Sequence, residues 1–168
     1  MRAGHVLATL AVSIIATAVA PPAHAYDGGL PMNGTYVVVS IGDWAQTDDV
    51  YRGEATTRQT WQVTSQCANP QSCTGHVVSD AGWAADLVYQ TARWLVHNAI
   101  PDWEKCPDGT AFPGDQLFQF YPIDPASGRA LVGSTTYAGE NITRGLSGKC
   151  GDATPLVIRM PMRIDKIG

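Results

Sequence analysis

The chain has 168 residues, 45% of them hydrophobic and 15% charged, with 11 Lys and Arg against 15 Asp and Glu for a net charge of −4. Its basic residues are scattered along the sequence instead of forming a stripe or cluster. That excludes a nucleic-acid-binding surface and a polybasic membrane contact.

Residues 1–25 carry the pattern of a secretory signal peptide. Arg2 supplies the positive start, residues 6–20 are uncharged and mostly apolar, and Pro21 and Pro22 end any helix. Ala23-His24-Ala25 is the small-x-small pattern of a cleavage site, which places the cut before Tyr26. The apolar stretch is shorter than the roughly 20 residues of a spanning helix. No Cys follows it closely to accept a lipid, so no membrane anchor is expected. Residues 26–168 then form a single exported domain, long enough to bury about two-thirds of its unfolded surface.

Within that domain the periodicity is that of strands, short runs rich in Val, Thr, Ile and aromatics separated by Gly, Pro, Asn and Asp. Runs are expected at residues 35–41, 57–65, 74–79, 83–89, 93–98, 116–121, 130–137 and 156–164. In the last, Leu156, Ile158, Met160, Met162 and Ile164 share one face while Arg159, Pro161 and Arg163 share the other. Pro161 donates no backbone hydrogen bond, which predicts an edge strand or a bulge there. Helical periodicity is weak; residues 48–54 could make a turn or two of helix. Eight antiparallel runs linked by tight turns predict an all-β meander closed into an up-and-down barrel, with a β-sandwich as the alternative.

The four Cys, at positions 67, 73, 106 and 150, are an even number in an oxidising compartment and predict two disulfides. Three connectivities are open; Cys67 with Cys73 across the Asn69-Pro70 turn, and Cys106 with Cys150, is the preferred one. These bridges would stabilise the fold by about 2 and about 4 kcal/mol. Structural zinc would want C-x₂₋₄-C pairs, which the spacing does not supply, so no metal site is assigned.

No catalytic residue is assigned either. The two His beyond the leader, His76 and His97, sit inside predicted strands, and Gly145-Leu146-Ser147-Gly148 lacks the nucleophile-elbow spacing. Acidic clusters at residues 43–54 and 102–108 could furnish a carboxylate-dependent hydrolase, but neither fits a calcium-binding or catalytic motif. There is no phosphate-binding loop and no dinucleotide fingerprint, so no cofactor is expected. Asn33-Gly34-Thr35 and Asn141-Ile142-Thr143 would be exposed glycan acceptors in a eukaryotic protein. Five Trp stand out, at positions 44, 61, 83, 94 and 103. Inward Trp side chains of a barrel either fill it or line a ligand cavity, and their N–H groups need partners when buried. Trp61, Trp94, Phe118 and Phe120 are the candidate ligand-binding residues.

In succession, Asn33-Gly34-Thr35-Tyr36, Ile41-Gly42-Asp43-Trp44-Ala45, Cys73-Thr74-Gly75, Ser79-Asp80-x-Gly82-Trp83 and Trp103-Glu104-x-Cys106-Pro107-Asp108-Gly109-Thr110 resemble the small secreted proteins of mycobacteria and related actinobacteria. That resemblance implies an exported, two-disulfide protein and no particular reaction. A Gly-x-Tyr strand followed by Gly-x-Trp is also similar to calycin-type barrels, the lipocalins and avidins, at the level of fold. The expected function is a secreted binding or interaction module whose partner is a small apolar ligand or an extracellular protein. An extracellular hydrolase and a structural envelope protein are the alternatives.

Overall fold

The computed structural model describes residues 28–168, and the leader expected over residues 1–25 lies outside them. The described residues form strands β1 (Gly34–Ser40), β2 (Gln46–Thr47), β3 (Val50–Tyr51), β4 (Thr57–Asn69), β5 (Ser72–Ser79), β6 (Ala84–Gln90), β7 (Arg93–Lys105), β8 (Ala111–Pro122), β9 (Thr136–Arg144) and β10 (Val157–Lys166). One 3₁₀ turn, Gly42–Trp44, follows β1.

From β4 to β10 each strand pairs antiparallel with the next, and β1 pairs with both β4 and β10. Eight strands therefore close into a barrel, and β2 and β3 form a small hairpin attached to β10. Closure satisfies backbone groups that the outermost strands of an open meander would leave unpaired. The alternation read from the sequence becomes inside and outside: Phe118, Phe120, Met162 and Ile164 face the core, while Arg163 faces solvent.

Three local expectations are corrected. Residues 48–54 are not helical, because Asp48 and Asp49 adopt left-handed φ values of 50° and 63° and turn β2 into β3. The strand expected at residues 130–137 begins only at Thr136 and runs to Arg144; Ala130 makes an isolated bridge to Ile123, and Leu131 and Val132 are exposed. The true strand looks polar, but Gly139 lets β9 lie directly against Gln119 and Phe120 of β8, where a Cβ would collide. Pro161 marks neither an edge nor a bulge. Its carbonyl accepts the Ile41 N–H at 2.8 Å, so its missing N–H faces the place where the neighbour of β10 changes from β1 to β2.

Both disulfides are present, Cys67–Cys73 between paired residues of β4 and β5, and Cys106–Cys150 between the β7–β8 turn and the loop before β10. At the end of the barrel near Cys67 and Cys73, the segment before β1 folds in as a plug. Met32 is fully buried, its N–H donates to Ser65 Oγ at 2.7 Å, and the Ser65 hydroxyl donates to the Met32 carbonyl at 2.9 Å.

The interior is divided along the barrel axis. Toward the plugged end it is apolar and aromatic, with Met32, Leu87, Trp94, Phe120 and Tyr137 in contact in one core. Toward the other end the inward positions become Ser40, Gln116, Asn141 and Thr143, all buried. That change of chemistry positions the site.

Candidate functional site

Asn98 on β7, Gln116 on β8, Asn141 on β9 and Ser40 on β1 form a continuous chain of side-chain hydrogen bonds across the barrel. Asn98 Nδ2 donates to Gln116 Oε1, Gln116 Nε2 to Asn141 Oδ1, and Asn141 Nδ2 to Ser40 Oγ, each at 3.0 Å. Two of the three amides are buried enough to need their partners, Gln116 at 7% exposed and Asn141 at 1%, as is the Ser40 hydroxyl at 2%, while Asn98 is part-buried. A barrel interior filled for stability alone would use apolar residues here, because buried amides gain little net free energy from bonds that merely replace water.

The amide chain forms the floor of a cleft of about 500 Å³ at the unplugged mouth. Its walls bring in Trp83 and Trp103, with Ile100 from β7, Met160 from β10, and Thr57 and Gln59 from β4. None of the residues lining it carries a charge.

Trp83 follows the Ser79-Asp80-Ala81-Gly82 turn, in which the Ser79 N–H donates to the Trp83 carbonyl at 2.9 Å. Its ring stacks on Phe118 with centroids 5.7 Å apart and planes 16° apart, and meets Trp61 edge-on at 5.5 Å. Trp103 is delivered by a bulge. The β7–β8 register shifts between Ile100 and Glu104, Asp102 takes a φ of 52°, and Trp103 is turned onto β8. Gly114 makes this possible, since a Cβ there would stand 2.8 Å from the indole.

The four aromatic candidates read from the sequence are brought together in the core. Trp61, Trp94, Phe118 and Phe120 are all 0% exposed, and the residues lining the mouth cleft do not include them. Trp61 and Phe118 meet edge-on at 4.9 Å and support Trp83 from beneath, while Trp94 packs on Tyr89 and Phe120 on Tyr137 near the plug. The Trp61 N–H donates to Gln59 Oε1 at 2.9 Å; the buried Trp94 N–H has no partner among the described residues. Sequence reasoning passed over Asn98, Gln116 and Asn141. The signal was available: in β8 Gln116 lies in phase with Phe118 and Phe120, a polar residue on an apolar face.

The other candidates serve elsewhere. His76 and His97 are exposed on the outer face, with Nδ1 at 3.5 Å from Asp86 and 3.8 Å from Asp115. Asp48 accepts the Val157 N–H at 2.9 Å and tethers the β2–β3 turn. Asp108 accepts the N–H and hydroxyl of Thr110, and these bonds hold its carboxyl below the usual carboxylate range. Glu104 Oε2 is buried beside Gly145 and has no partner among the described residues. Asn141, part of a glycan sequon, lies inside the barrel. Among the described residues no group of three or more His, Cys, Asp or Glu is placed to hold a metal ion, and no helix is long and apolar enough to cross a membrane.

No protein-family model matches the chain, and no curated protein matches it by sequence. Among solved structures it is similar to the monomer form of the M. tuberculosis PknI sensor domain, with a TM-score of 0.57 at 15% identity, over 83% of this chain and 89% of that one. The likeness is one of fold: a closed antiparallel barrel, here carrying a polar, tryptophan-lined mouth.

Proposed function

We propose that this chain is an exported binding module and that the open mouth of the barrel is its ligand site. The observation that carries the reading is the division of the interior. A barrel packed with aromatics at its plugged end turns to a buried amide chain at the other, under a cleft of about 500 Å³ walled by Trp83 and Trp103. Concave sites of a few hundred Å³ that combine apolar walls with a few fixed polar groups are the usual form of small-molecule sites. The aromatic set read from the sequence then acts in two ways: Trp61 and Phe118 hold Trp83 in position, and Trp94 and Phe120 make the closed end rigid.

Two supports come from outside the cleft. The disulfides suit an oxidising compartment, in keeping with the leader expected over residues 1–25 and with the resemblance to small secreted actinobacterial proteins. The similar fold of PknI serves that protein as a sensor domain.

The test is a screen of small neutral fragments against ¹⁵N-labelled protein. Ligands should move the indole N–H signals of Trp83 and Trp103 before any signal on the outer face. Perturbations confined to the outer strands, with both indoles unmoved, would remove the mouth as the site.

A further inference from the structure

Resting on that reading, we propose that the mouth takes an uncharged, hydroxyl-rich ring, that is, a neutral saccharide of one or two units.

Charge is the first discriminator. The cleft offers no Lys, Arg, His, Asp or Glu, so a charged ligand would give up its hydration with no counter-charge in return. A phosphate, a carboxylate or an ammonium group is therefore selected against by the site itself.

Polarity is the second. Six lining residues end in an amide or hydroxyl: Thr57, Gln59, Asn98, Gln116, Asn141 and Thr143. A wholly apolar ligand, such as an acyl chain, would cover Thr57, Gln59 and the head of the amide chain at Asn98 and strip their free polar atoms of water without offering partners, whereas Gln116, Asn141 and Thr143 are already buried. Hydroxyls both donate and accept, as amides do, so a polyol ring can meet several at once.

The direction of the amide chain adds a specific contact. Every member donates onward, from Asn98 through Gln116 and Asn141 to Ser40, and Asn98 spends its Nδ2 on the first link. Asn98 is the part-buried head of the chain, and its Oδ1 accepts no hydrogen bond from the described residues. A ligand hydroxyl donating to that oxygen would extend the chain by one member and polarise every bond behind it.

The third element is the pair of indoles. Trp83 is held flat on Phe118 and Trp103 on Gly114, so both keep their orientation without a ligand. The apolar C–H face of a pyranose is matched by such a fixed ring, whose face carries the negative side of its quadrupole.

The experiment starts from the unmodified chain. Cellobiose, maltose, lactose and the neutral aromatic amide benzamide are each titrated against ¹⁵N-labelled protein, followed by methyl glucoside and methyl glucuronide as a neutral and charged pair. At least one disaccharide should shift the Trp83 and Trp103 indole signals, with a Kd of about 1 mM or tighter. The glucuronide should bind at least about tenfold more weakly than the glucoside, because its carboxylate finds no partner. Affinity should change less than about twofold from low salt to about 1 M, where charge interactions are screened. Thr57→Val, at an exposed rim position, should weaken the disaccharide several-fold while leaving the melting temperature unchanged.

Benzamide moving both indoles while all three disaccharides leave them unmoved would overturn the saccharide class and keep the mouth as a site. Neither class moving them would overturn both. A glucuronide that binds as well as the glucoside would overturn the argument from charge.

Discussion

Replacing Asn141 with Ala removes a donor and an acceptor from the middle of the interior amide chain. Two hydrogen bonds at 3.0 Å are lost, and Gln116 Nε2 and Ser40 Oγ are left in the barrel without those partners. Each bond contributes about 1 kcal/mol net, and each buried group left unsatisfied costs a further 1–3 kcal/mol, roughly. Gln116 lines the cleft and can recover a water; Ser40 does not line it. The balance is a loss of about 3 kcal/mol, or a fall of roughly 10 °C in Tm for a domain of this size. Asn98→Ala breaks one bond at the part-buried head and should cost only about 1 kcal/mol. Urea unfolding followed by tryptophan fluorescence reads both, with linear extrapolation to water. Equal losses for the two variants, or a loss below about 1 kcal/mol for Asn141→Ala, would refute the view that a directional chain spans the interior.

Two other perturbations have signs fixed by local geometry. The β6–β7 hairpin turns through Thr91 and Ala92, with φ of 51° and 61°, values that favour Asn and Gly, so Thr91→Asn with Ala92→Gly should stabilise by about 1 kcal/mol. An unchanged or lower urea midpoint would show that the turn is held by something other than backbone preference. Asp165 accepts two bonds from Arg163, at 2.7 and 3.0 Å, and one from Thr136 at 3.0 Å; the Arg163 bonds are the larger reason its carboxyl is held below the usual carboxylate range. A depressed carboxyl pKa gives stability that is present above the unfolded value of about 4 and is lost as pH falls through the folded one. Asp165→Asn should therefore lower the Tm at pH 7 and match the parent in strong acid, and a gap that persists there would contradict the assignment.

Asn141 shows where sequence reading stops. The segment Ala138-Gly139-Glu140-Asn141 lies beyond the run expected at residues 130–137, while Ala130-Leu131-Val132 reads as the start of that strand. Local preference favours the second and the barrel uses the first. Tight crossing of β8 and β9 at Gly139, and the Asn141 amide that finds partners on two other strands, β8 and β1, outweigh it.

The pattern along the chain by itself favoured a closed all-β barrel over a sandwich and the Cys67–Cys73 and Cys106–Cys150 pairing over two others, and it singled out Trp61, Trp94, Phe118 and Phe120 as candidate ligand-binding residues, which the tertiary structure places in the core. The barrel and the number of bridges follow from period-two alternation, turn residues and cysteine parity, all of which are local or nearly so. The plugged end, the amide floor and the indole walls of the mouth were decided only in three dimensions. Trp83 and Trp103 reach the cleft through a turn and a bulge, and Asn98, Gln116, Asn141 and Ser40 become neighbours only once the strands close. Closure makes inward residues from different strands one surface, and no window of sequence contains that surface.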